Sequence, residues 1–496
     1  MLLSENFKTK TLRLFLKMLA ELTKFLPKDR VLLTDEAVRP YECDGLSAYT
    51  QRPGAVVLPS TLEEIQQILQ FCRTHKIPIV ARGAGTGLSG GALPHSDGVL
   101  LSLAKFNRIL AIDPVGKMAR VEPGVRNLAI SQAVAPYGLY YAPDPSSQIA
   151  CTIGGNVAEN SGGVHCLKYG LTVHNILEIK LLTIDGDLLT LGSQALDAPG
   201  YDLLALLTGS EGLLGIIVEI TVKLLPKPEC AQVLLAAFAD VNQAGAAVAD
   251  IIATGIIPAG LEMMDNAALR AAEAFVKVGY PIDAAAILLC ELDGSQEEVA
   301  MQISQVQTVL AQAGATEIRC SENEQQRLRL WAGRKGAFPA VGRISPDYYC
   351  MDGTIPRKHL ATVLQRIDKL SKIYQLPVAN VFHAGDGNLH PLILFDANQP
   401  GELERAEEFG GKILELCVEV GGTVTGEHGV GVEKLNQMCA QFNSAELLQF
   451  HAIKAAFDPE GLLNPGKAIP TLHRCAEWGA MHIHQGQLPF PNLERF

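Results

Sequence analysis

Two histidines flank a glycine-rich turn signal in the second half of the chain. Residues 378–395 read VANVFHAGDGNLHPLILF, so His383 and His390 stand on either side of Gly-Asp-Gly-Asn. The flanks have the composition of β-strands and GDGN is typical of a tight turn, so the segment predicts a hairpin. With residues 385–388 as the turn, His383 pairs with His390 and their Cβ atoms lie about 5 Å apart on one face. Two imidazoles at that separation can bind one metal ion.

A second motif places an acidic residue next to a histidine. Residues 421–431 read GGTVTGEHGVG, so Glu427 and His428 stand among glycines that permit close approach of the backbone. Adjacent side chains of an extended segment point to opposite sides. We therefore expect Glu427 to complete a His₂Glu metal site and His428 to face a substrate as a base. Zinc, manganese and iron(II) all suit this ligand set, and the sequence does not choose between them.

A third feature is a glycine run directly after a predicted strand. Residues 77–82 (IPIVAR) lead into GAGTGLSGG at 83–91, whose backbone N–H groups can bind an anion such as a pyrophosphate. The spacing is G-x-G-x-G, and Gly90, Gly91 and Pro94 oppose the long helix that follows the fingerprint of a Rossmann unit. The run therefore disfavours NAD binding by a doubly wound domain.

Two more glycine clusters follow in the same β-rich region. PDPSS at 143–147 leads into TIGGNVAENSGG at 152–163, and GSEGLLG occupies 209–215. One such cluster by itself is most simply a tight turn. Three of them in one domain are better explained by a long cofactor that carries a pyrophosphate and a flat ring system.

The ordered set of glycine clusters resembles the vanillyl-alcohol-oxidase family of FAD enzymes. The resemblance implies an α+β fold with a two-lobed FAD-binding domain and an α+β substrate or cap domain that has an antiparallel sheet. It also implies a set of cofactor-binding residues: Arg82, Gly83, Ala84, Gly85, Thr86, Gly87, Leu88, Gly90, Pro143, Asp144, Ser146, Gly154, Gly155, Asn156, Asn160, Gly162, Gly209, Glu211, Gly212, Gly215, Ile217 and Asn464. Some members attach the flavin to a histidine in the first loop, and residues 82–91 contain none. We therefore expect non-covalent FAD.

The histidine motifs narrow the resemblance. HxGDGNxH followed by GEHGVG is similar to the FAD-linked D-2-hydroxy-acid dehydrogenases, and WAGRKGAF, YYCMDGTIPR and GLLNPGK look most like the D subunits of bacterial glycolate oxidases. The site residues that this implies are His383, His390 and Glu427 for a divalent metal, and His428, Asn388 and Arg334 for substrate and catalysis.

Two of the implied residues bear on the choice of substrate. The resemblance gives Arg334 the substrate carboxylate, which a guanidinium can bind through two parallel hydrogen bonds. Relatives that act on 2-hydroxyglutarate carry a lysine near the position of Cys350, and this chain does not. The departure implies a substrate without a distal carboxylate.

The implied activity is the oxidation of a small 2-hydroxy acid, from glycolate to glyoxylate and from D-lactate to pyruvate. Hydride passes from the α-carbon to flavin N5 while neutral His428 removes the hydroxyl proton. Electrons must then leave the flavin, and the chain has no Cys-x-x-Cys pair to suggest an iron–sulfur cluster. The resemblance implies a glycolate oxidase complex with a second FAD-binding-type subunit, an iron–sulfur subunit and a quinone as the downstream acceptor.

Three alternatives stay open at the level of sequence. A zinc hydrolase would use His383, His390 and Glu427 around a metal-bound water, but it would leave the glycine clusters without a role. A D-lactate dehydrogenase that acts alone is compatible with the same motifs. A non-catalytic FAD-binding subunit would need the glycine clusters only, and the intact histidine motifs argue against it.

Composition limits the class of protein. The 496 residues are 48% hydrophobic and carry a formal net charge of −12 at pH 7, which leaves no broad basic surface for nucleic acid. No stretch of the sequence is long and apolar enough to span a membrane. The eleven cysteines are scattered singly, as expected of reduced thiols. These observations favour a cytoplasmic protein, and the resemblance implies that it reaches the inner membrane through partner subunits.

The elements that must position the motifs divide the chain into four expected regions. We predict an amphipathic helix over 1–28, an FAD-binding domain over 29–227, a substrate or cap domain with the metal site over 228–452, and a C-terminal segment over 453–496 that returns to the FAD domain. Alternation of β-rich runs and glycine turns marks the second region, and alanine-rich helical segments after Pro226 and Pro228 mark the third. The first helix should pack on its own domain, with docking to a membrane surface or a partner as the alternative.

Overall fold

A computed structural model of the chain describes residues 15–195, 199–471 and 474–475. Its strands form three sheets and a two-stranded ribbon. Two of the sheets make up an N-terminal module, and the largest belongs to a C-terminal module. The predicted α+β class is confirmed, as is the antiparallel sheet of the second domain.

The first sheet of the N-terminal module is short and mostly parallel. It has the order β1-β2-β4-β3, where β1 is Val31–Leu32, β2 Ala55–Val57, β3 Ile79–Arg82 and β4 Val99–Ser102. β2, β3 and β4 run parallel to one another, and β1 is antiparallel to β2. The helix Leu62–His75 begins at Thr61, whose side chain accepts a hydrogen bond from the N–H of Glu64, and buries Ile65, Ile68 and Leu69. Strand β3 ends at Arg82 and so delivers the first glycine cluster to the carboxyl edge of this sheet.

The second sheet is antiparallel and has the order β5-β6-β10-β8-β9. Its strands are β5 Ile109–Asp113, β6 Met118–Val121, β8 Ile176–Leu182, β9 Leu188–Gly192 and β10 Ile216–Lys223. The two-stranded ribbon pairs β7 Leu139–Tyr140 with β11 Leu225–Pro226. The helices of this module, besides Leu62–His75, are Asp35–Val38, Asn127–Val134, Ile153–Glu159, Cys166–Tyr169 and Leu203–Leu207. Short 3₁₀ helices occupy Ala20–Lys24, Lys28–Arg30, Arg39–Tyr41, Ala135–Tyr137, Thr172–His174 and, in the C-terminal module, Arg357–His359.

The C-terminal module is built on an eight-stranded antiparallel sheet in the order β15-β12-β14-β13-β18-β19-β16, with β17 paired to β19. Its strands are β12 Cys230–Phe238, β13 Gly260–Asp265, β14 Ala286–Gly294, β15 Glu317–Cys320, β16 Asp347–Cys350, β17 Gly353–Thr354, β18 Val378–His383 and β19 Asn388–Phe395. Successive side chains alternate between two cores: Leu288 and Cys290 of β14 face one, and Ile287 and Leu289 face the other. Both faces of this sheet are therefore covered.

Helices cover the sheet on both sides. They are Val241–Ala253, Asn266–Val276, Gln296–Gln312, Glu324–Lys335, Ala337–Val341, Leu360–Tyr374 and Glu402–Glu419. The periodicity of the sequence predicts helices over 242–253, 266–275 and 296–313, and these predictions are confirmed within one residue at either end. Each of these three helices begins with an aspartate or serine whose side chain accepts a hydrogen bond from a backbone N–H of the first turn.

Both ends of the described chain pack on the N-terminal module. Residues 15–19 are helical and lead into the 3₁₀ helix Ala20–Lys24, and Leu19, Leu22 and Leu26 are buried in the core under the first sheet. After the helices Leu435–Gln441 and Ser444–Phe457, the chain returns to the same sheet, where Leu463 forms a parallel bridge with Ile79. The part of the predicted first helix before residue 15 lies outside the described residues.

One expectation about the cysteines is wrong. The structure joins Cys439 and Cys475 by a disulfide, with their Cα atoms 5.3 Å apart, whereas the scattered spacing predicts eleven reduced thiols. Thirty-six positions separate the two residues. The sequence does not show that the tail folds back over the helix Leu435–Gln441, so it gives no reason to pair them.

Among the described residues, no helix has both the length and the apolar character that crossing a membrane requires.

A charged network joins the two modules near the start of the helix Cys166–Tyr169. The imidazole of His165 lies 3.0 Å from Asp144 of its own module and 3.1 Å from Glu291 on β14. Burial by itself lowers the pKa of His165, but the charges of Asp144 and Glu291 and the hydrogen bonds to them raise it to about 10. Lys168 and Tyr169 both bind Asp293 on the same strand. The modules are thus held together by an imidazolium between two carboxylates.

This network makes a prediction about stability and pH. Because its pKa is raised on folding, His165 stabilises the fold fully below about pH 6.5 and loses that contribution as the pH rises toward about 10. The difference in melting temperature between the wild type and His165→Gln should therefore be large near pH 6 and shrink toward about pH 10. Gln66→Ala, which removes a side chain that cannot titrate and that binds the carbonyl of Gly186, is the control and should show no such trend. A difference that grows with pH would contradict the assignment.

Candidate active site

One cavity of about 620 Å³ lies between the glycine clusters and the histidines of the C-terminal module. This volume is within the range of roughly 300–1,000 Å³ that is usual for ligand sites. The predicted cofactor residues on its wall are Arg82, Gly83, Ala84, Gly85, Thr86, Gly87, Leu88, Ser146, Gly154, Gly155, Asn156, Glu211, Gly212, Gly215 and Ile217. The same wall contains His383, His390, Glu427 and His428, so one cavity unites the glycine clusters with the histidine motifs.

The remaining predicted cofactor residues do not line the cavity, and one of them, Asn464, holds its wall together. The side-chain amide of Asn464 donates to the carbonyls of Gly91 and Glu211, and thereby ties the first and third glycine clusters to each other. The others off the wall are Gly90, Pro143, Asp144, Asn160, Gly162 and Gly209. Asp144 belongs to the charged network described above, and the side chain of Asn160 accepts a hydrogen bond from the N–H of Val173.

The second glycine cluster forms a short helix, Ile153–Glu159, where the sequence predicts a turn. Its glycines serve packing: a Cβ at Gly154 would lie 2.5 Å from Cβ of Pro123, so this turn of the helix can approach Pro123 only without a side chain. At Gly155 the nearest atom to an added Cβ would be Oγ1 of Thr152 at 3.5 Å. This helix therefore presents bare backbone to the cavity.

Two observations show that a bulky polar ligand fits the cavity. An added Cβ at Gly87 would meet one atom within 4 Å, Oδ2 of Asp44 at 3.9 Å, and at Gly212 it would meet none, so both glycines leave open space. Buried polar atoms on the wall, Oγ1 of Thr152 and Oε2 of Glu159, have no hydrogen-bond partner among the described residues. Unpaired buried polar atoms are costly, and a ligand with donors and acceptors would satisfy them.

The predicted metal ligands converge on one point. Nε2 of His383 and Nε2 of His390 lie 3.2 Å and 3.0 Å from the same oxygen of Glu427, and the two imidazole centroids are 5.0 Å apart. Burial by itself raises the pKa of Glu427, but hydrogen bonds and charge from the two histidines hold it well below its usual range. One carboxylate oxygen between two imidazole nitrogens is a donor set that fits a divalent ion.

The outer nitrogens of both histidines are occupied. Nδ1 of His383 lies 2.8 Å from Glu262, and Nδ1 of His390 lies 3.3 Å from the carbonyl of Met351. Such partners fix the tautomer and aim Nε2 at a metal. A second set of potential ligands, Cys350, His390 and His428, overlaps this one, but it lacks a carboxylate and would use His428 as a ligand. The His383–His390–Glu427 set is therefore the better metal site.

The predicted register of the histidine hairpin is wrong by two residues. His383 pairs with Asn388, and His390 pairs with Val381, because the turn spans residues 384–387. Gly387 adopts a φ of 86°, which allows the chain to turn one residue earlier than the sequence suggests. Both histidines still share a face, since a shift of two residues preserves the side of the strand.

His428, the predicted base, lies next to the predicted metal ligands. Its ring stacks on that of His390, with centroids 5.0 Å apart and planes within 11°, and its buried Nδ1 has no hydrogen-bond partner among the described residues. Burial, followed by the nearby charges of His390 and Lys434, lowers the pKa of His428 to about 4 against the opposing effect of Asp352. The ring is therefore neutral near pH 7 and can accept a proton.

Arg334 lies behind the metal ligands and off the cavity wall. It is 1% exposed, and its Nη2 contacts Oε2 of Glu262 at 2.6 Å, so Glu262 bridges it to His383. Its Nε and Nη1 have no hydrogen-bond partner among the described residues. The next residue, Lys335, does line the cavity, 3.5 Å from Asp144. Among the described residues of the cavity wall, Arg82 and Lys335 are the arginine and lysine. Lys335 is on the side of the histidines.

Asn388 also lies off the cavity wall. It binds Asp352, a residue that the sequence motifs do not indicate. Its side-chain amide donates to Asp352, a fully buried carboxylate that also binds Lys434 and the backbone beside Glu427 and His428. Burial raises the pKa of Asp352, but Lys434 and the histidines hold it well below its usual range. Residues 425–431, which carry Glu427 and His428, are called the EH loop below.

Sequence reasoning missed Glu262, Asp352, Glu159 and Lys335. Glu262 and Asp352 stand in a strand and next to one, where neighbouring letters give no sign of a partner far along the chain. Lys335 directly follows Arg334 in the segment WAGRKGAF, so the sequence itself indicates a second cation at this place. Glu159 stands within the second glycine cluster, and burial followed by the charge of Glu211 raises its pKa well above the usual range.

Comparisons with known proteins agree with this geometry. A model of the FAD binding domain matches residues 53–192, and a model of the C-terminal domain of FAD linked oxidases matches residues 227–468. The chain is 69% identical over 478 residues to glycolate oxidase subunit GlcD of Escherichia coli K12, which covers 96% of each chain. The chain belongs to the GlcD family of FAD-linked oxidases.

More distant relatives fit the same family. The chain is 32% identical over 461 residues to D-lactate dehydrogenase of Anaerostipes hadrus, which covers 91% of this chain and 97% of the other. The solved structure of p-cresol methylhydroxylase with substrate bound has a TM-score of 0.78 at 18% identity and covers 92% of this chain and 97% of that one. This likeness confirms the two-domain FAD-binding fold that the glycine clusters predict.

The cavity yields a prediction about FAD. Valine at Gly87 would fill space that no protein atom uses, so Gly87→Val should fold but bind FAD about 10-fold or more weakly, from steric overlap alone. Flavin absorbance of the purified protein and its melting temperature measure the two effects. Gly342→Val, at an exposed glycine whose added Cβ would be 3.4 Å from the nearest atom, is the control and should keep its FAD. Full FAD occupancy in Gly87→Val would show that the cofactor lies elsewhere.

Proposed function

We propose that this FAD-dependent oxidoreductase oxidises small 2-hydroxy acids, with glycolate as the principal substrate. The observation that carries the proposal is the shared cavity: the wall of glycine clusters and the His383–His390–Glu427–His428 cluster line one space. A relative with 69% identity is named a glycolate oxidase subunit, and one with 32% identity a D-lactate dehydrogenase. D-lactate is therefore proposed as a second substrate.

Two bound groups would supply chemistry that the side chains lack. FAD supplies the acceptor for the hydride of the α-carbon, and we propose that it is held without a covalent bond because residues 82–91 contain no histidine, so acid should release it. A divalent ion held by His383, His390 and Glu427 supplies a Lewis acid for the α-hydroxyl group. Zinc, manganese and iron(II) remain the candidates.

His428 would take the proton of the α-hydroxyl group. Its Nδ1 is buried and has no hydrogen-bond partner among the described residues, and its ring lies against His390, one of the proposed metal ligands. A base in hydrogen-bond reach of the hydroxyl allows the carbonyl to form as the hydride leaves. The site thus separates the proton, which goes to His428, from the hydride, which goes to the flavin.

Cations must offset the repulsion between an acidic protein and a carboxylate substrate. Lys335 is on the cavity wall, and we propose that it draws the carboxylate in. Arg334 is next to it and has two donor nitrogens without hydrogen-bond partners, which supports its proposed role as a carboxylate ligand. Asn388 would assist binding and catalysis at the other side of the metal ligands, where its Oδ1 has no hydrogen-bond partner among the described residues.

The hydrolase alternative explains less of the structure. It would use the metal ligands and a water, but the open glycine wall that faces those ligands would have no role. A non-catalytic FAD-binding subunit would likewise leave the converging His383, His390 and Glu427 unexplained.

We further propose that the electrons pass to partner subunits and then to a quinone at the cytoplasmic face of the inner membrane. The support is the name of the Escherichia coli relative, a subunit of glycolate oxidase, to which this chain is similar over 96% of its length. The proposed partners are a second FAD-binding-type subunit and an iron–sulfur subunit.

The function is tested by replacing the base and the metal ligands separately. His428→Ala should keep FAD and metal but reduce its flavin with glycolate about 10²- to 10⁴-fold more slowly, as is usual when a general base is lost. His383→Ala and Glu427→Gln should lose metal and activity together. Anaerobic flavin bleaching and metal analysis are the measurements. The control is His451→Ala, at a histidine that is off the cavity wall and contacts the carbonyl of Pro470. Near-normal bleaching in His428→Ala would remove this residue as the base.

The two cations should separate binding from rate. Lys335→Met should raise the apparent KM for glycolate several-fold with little change in kcat, because a long-range charge acts on substrate entry. Arg334→Lys should lower kcat/KM by about 10-fold or more, since a point charge does not replace a planar fork. Arg343→Lys, at an exposed arginine that binds the carbonyl of Ala274, is the control. Unchanged kinetics in Arg334→Lys would remove it from the substrate site.

The partner proposal makes a separate prediction. The isolated chain should reduce an artificial dye with glycolate but should reduce quinone only after the partner subunits are added. The measurement is glycolate-dependent reduction of each acceptor under the same conditions. Rapid quinone reduction by the isolated chain would contradict the need for partners and would leave the oxidation of glycolate unaffected.

A further inference from the structure

We propose that Asp352 is the positioning residue of the EH loop: it binds the backbone of the loop and thereby sets the places of Glu427 and His428. The inference rests on the proposed function, because it concerns how the proposed metal ligand and base are held. Asp352 lies just beyond β16 in the segment YYCMDGTIPR, about 75 residues before the loop it binds.

The carboxylate of Asp352 accepts hydrogen bonds from three consecutive N–H groups. The N–H groups of Gly426, Glu427 and His428 lie 3.1 Å, 3.1 Å and 2.9 Å from its oxygens. Successive backbone N–H groups that surround an anion form a nest, whose shape depends on the anion inside it. Because Glu427 and His428 are two of its three members, the directions of both side chains follow from this geometry.

Side-chain donors complete the shell around Asp352. The hydroxyl of Thr425 donates at 2.6 Å, the amide of Asn388 at 3.1 Å and the ammonium of Lys434 at 3.0 Å. Asp352 and Lys434 are fully buried, and a buried charge is stable only when it is paired and hydrogen-bonded. Lys434 also donates to the carbonyl of Gly429, so the ion pair holds the loop at two points.

Glycine at 426 shows how closely the loop is fitted to this anchor. A Cβ at Gly426 would coincide with the amide of Asn388, which donates to Asp352 from that position. The close approach allows Asp352 to bind β19, through Asn388, and the EH loop at once. A single carboxylate therefore links the strand that begins at Asn388 and carries His390 to the loop that carries Glu427 and His428.

The N-terminal module holds the far end of the same loop in the same way. Glu211 accepts hydrogen bonds from the N–H groups of Val430 and Gly431, both at 2.7 Å. Glu211 lines the cavity and belongs to the third glycine cluster, whereas Asp352 is away from the cavity wall. Asp352 is thus the anchor on the metal side of the loop, and its effect on the reaction is exerted through Glu427 and His428.

The test is Asp352→Asn in the full-length protein with bound FAD. Asparagine has the same size, but its NH₂ group would face N–H donors at the place where a carboxylate oxygen now accepts their hydrogen bonds. We expect the rate of flavin reduction at saturating glycolate to fall by about 10- to 100-fold, and the dissociation constant for Mn²⁺ to rise by about 10- to 100-fold, as for other residues that orient metal ligands. FAD should stay bound. Metal affinity, measured by chelator competition without substrate, does not depend on turnover.

Asp458→Asn is the matched control. Asp458 is also a buried aspartate, and it accepts hydrogen bonds from the backbone N–H groups of Leu462 and Leu463. It also pairs with a lysine, Lys454, but these contacts are away from the histidines. It should lower the melting temperature without changing the rate of flavin reduction or the affinity for Mn²⁺. If both variants change only the melting temperature, Asp352 is a structural residue and the proposal is overturned.

A second variant covers the case in which Asp352→Asn does not fold. Thr425→Val removes one donor from Asp352 and keeps the charge and the shape, and we expect smaller losses in the same two quantities. Values within about twofold of the wild type would overturn the proposal. If wild-type flavin is not reduced by any 2-hydroxy acid, the proposed function fails, and the Mn²⁺ affinities still decide the role of Asp352. If the wild type binds neither Mn²⁺ nor Zn²⁺, flavin reduction decides it.

Discussion

The position of one carboxylate, that of Glu427 between His383 and His390, depends on nearly every other part of the site. A charge that is removed from water is costly unless partners surround it, and Glu427 has two imidazoles within 3.2 Å. Those imidazoles in turn need Glu262 and the carbonyl of Met351 to aim them. Glu262 is itself paired with Arg334. The site is therefore a chain of buried polar groups in which each member makes the next one stable.

Both modules are needed to hold these buried polar groups in place. The EH loop belongs to none of the sheets; it is held by Asp352 on one side and by Glu211 of the N-terminal module on the other. The backbone of the N-terminal module also approaches Glu427 directly, since a Cβ at Gly162 would lie 2.7 Å from its carboxylate. The glycine clusters thus have two uses: some leave space for FAD, and others allow the modules to pack closely.

The placement of charge explains how an acidic protein can handle an acidic substrate. The net charge of −12 belongs to the whole chain, whereas the described cavity wall carries Arg82 and Lys335 beside the carboxyl groups of Glu159, Glu211 and Glu427. The acidic groups near the histidines are compensated by buried partners, such as Lys434 for Asp352. His428 stays neutral in this environment and is available as a base. The local field at the cavity is therefore set by few residues and differs from that of the whole surface.

The sequence by itself determined the class of fold and the long helices, and it predicted His383, His390 and Glu427 as metal ligands. Periodic apolar positions and hydroxyl or acidic N-caps are local, so helices such as Gln296–Gln312 can be predicted from their own residues. The shared face of His383 and His390 was also predicted, and it survived the error in register because a shift of two residues keeps side chains on the same side. The second glycine cluster, in contrast, hid the helix Ile153–Glu159, since glycine disfavours helices locally and tertiary packing against Pro123 overrides that preference.

Only the tertiary structure decided which polar groups support the ligands and where Arg334, Asn388 and Lys335 stand relative to the cavity. Glu262 and His383 are 121 positions apart, and Asp352 and His428 are 76 apart, so no window of sequence contains such a pair. The disulfide between Cys439 and Cys475 was hidden for the same reason. A hydrogen bond depends on distances of about 3 Å in space, whereas a sequence pattern reports spacing along the chain. The sequence therefore indicated which groups are candidates for the chemistry, and the fold decided which groups surround and hold them.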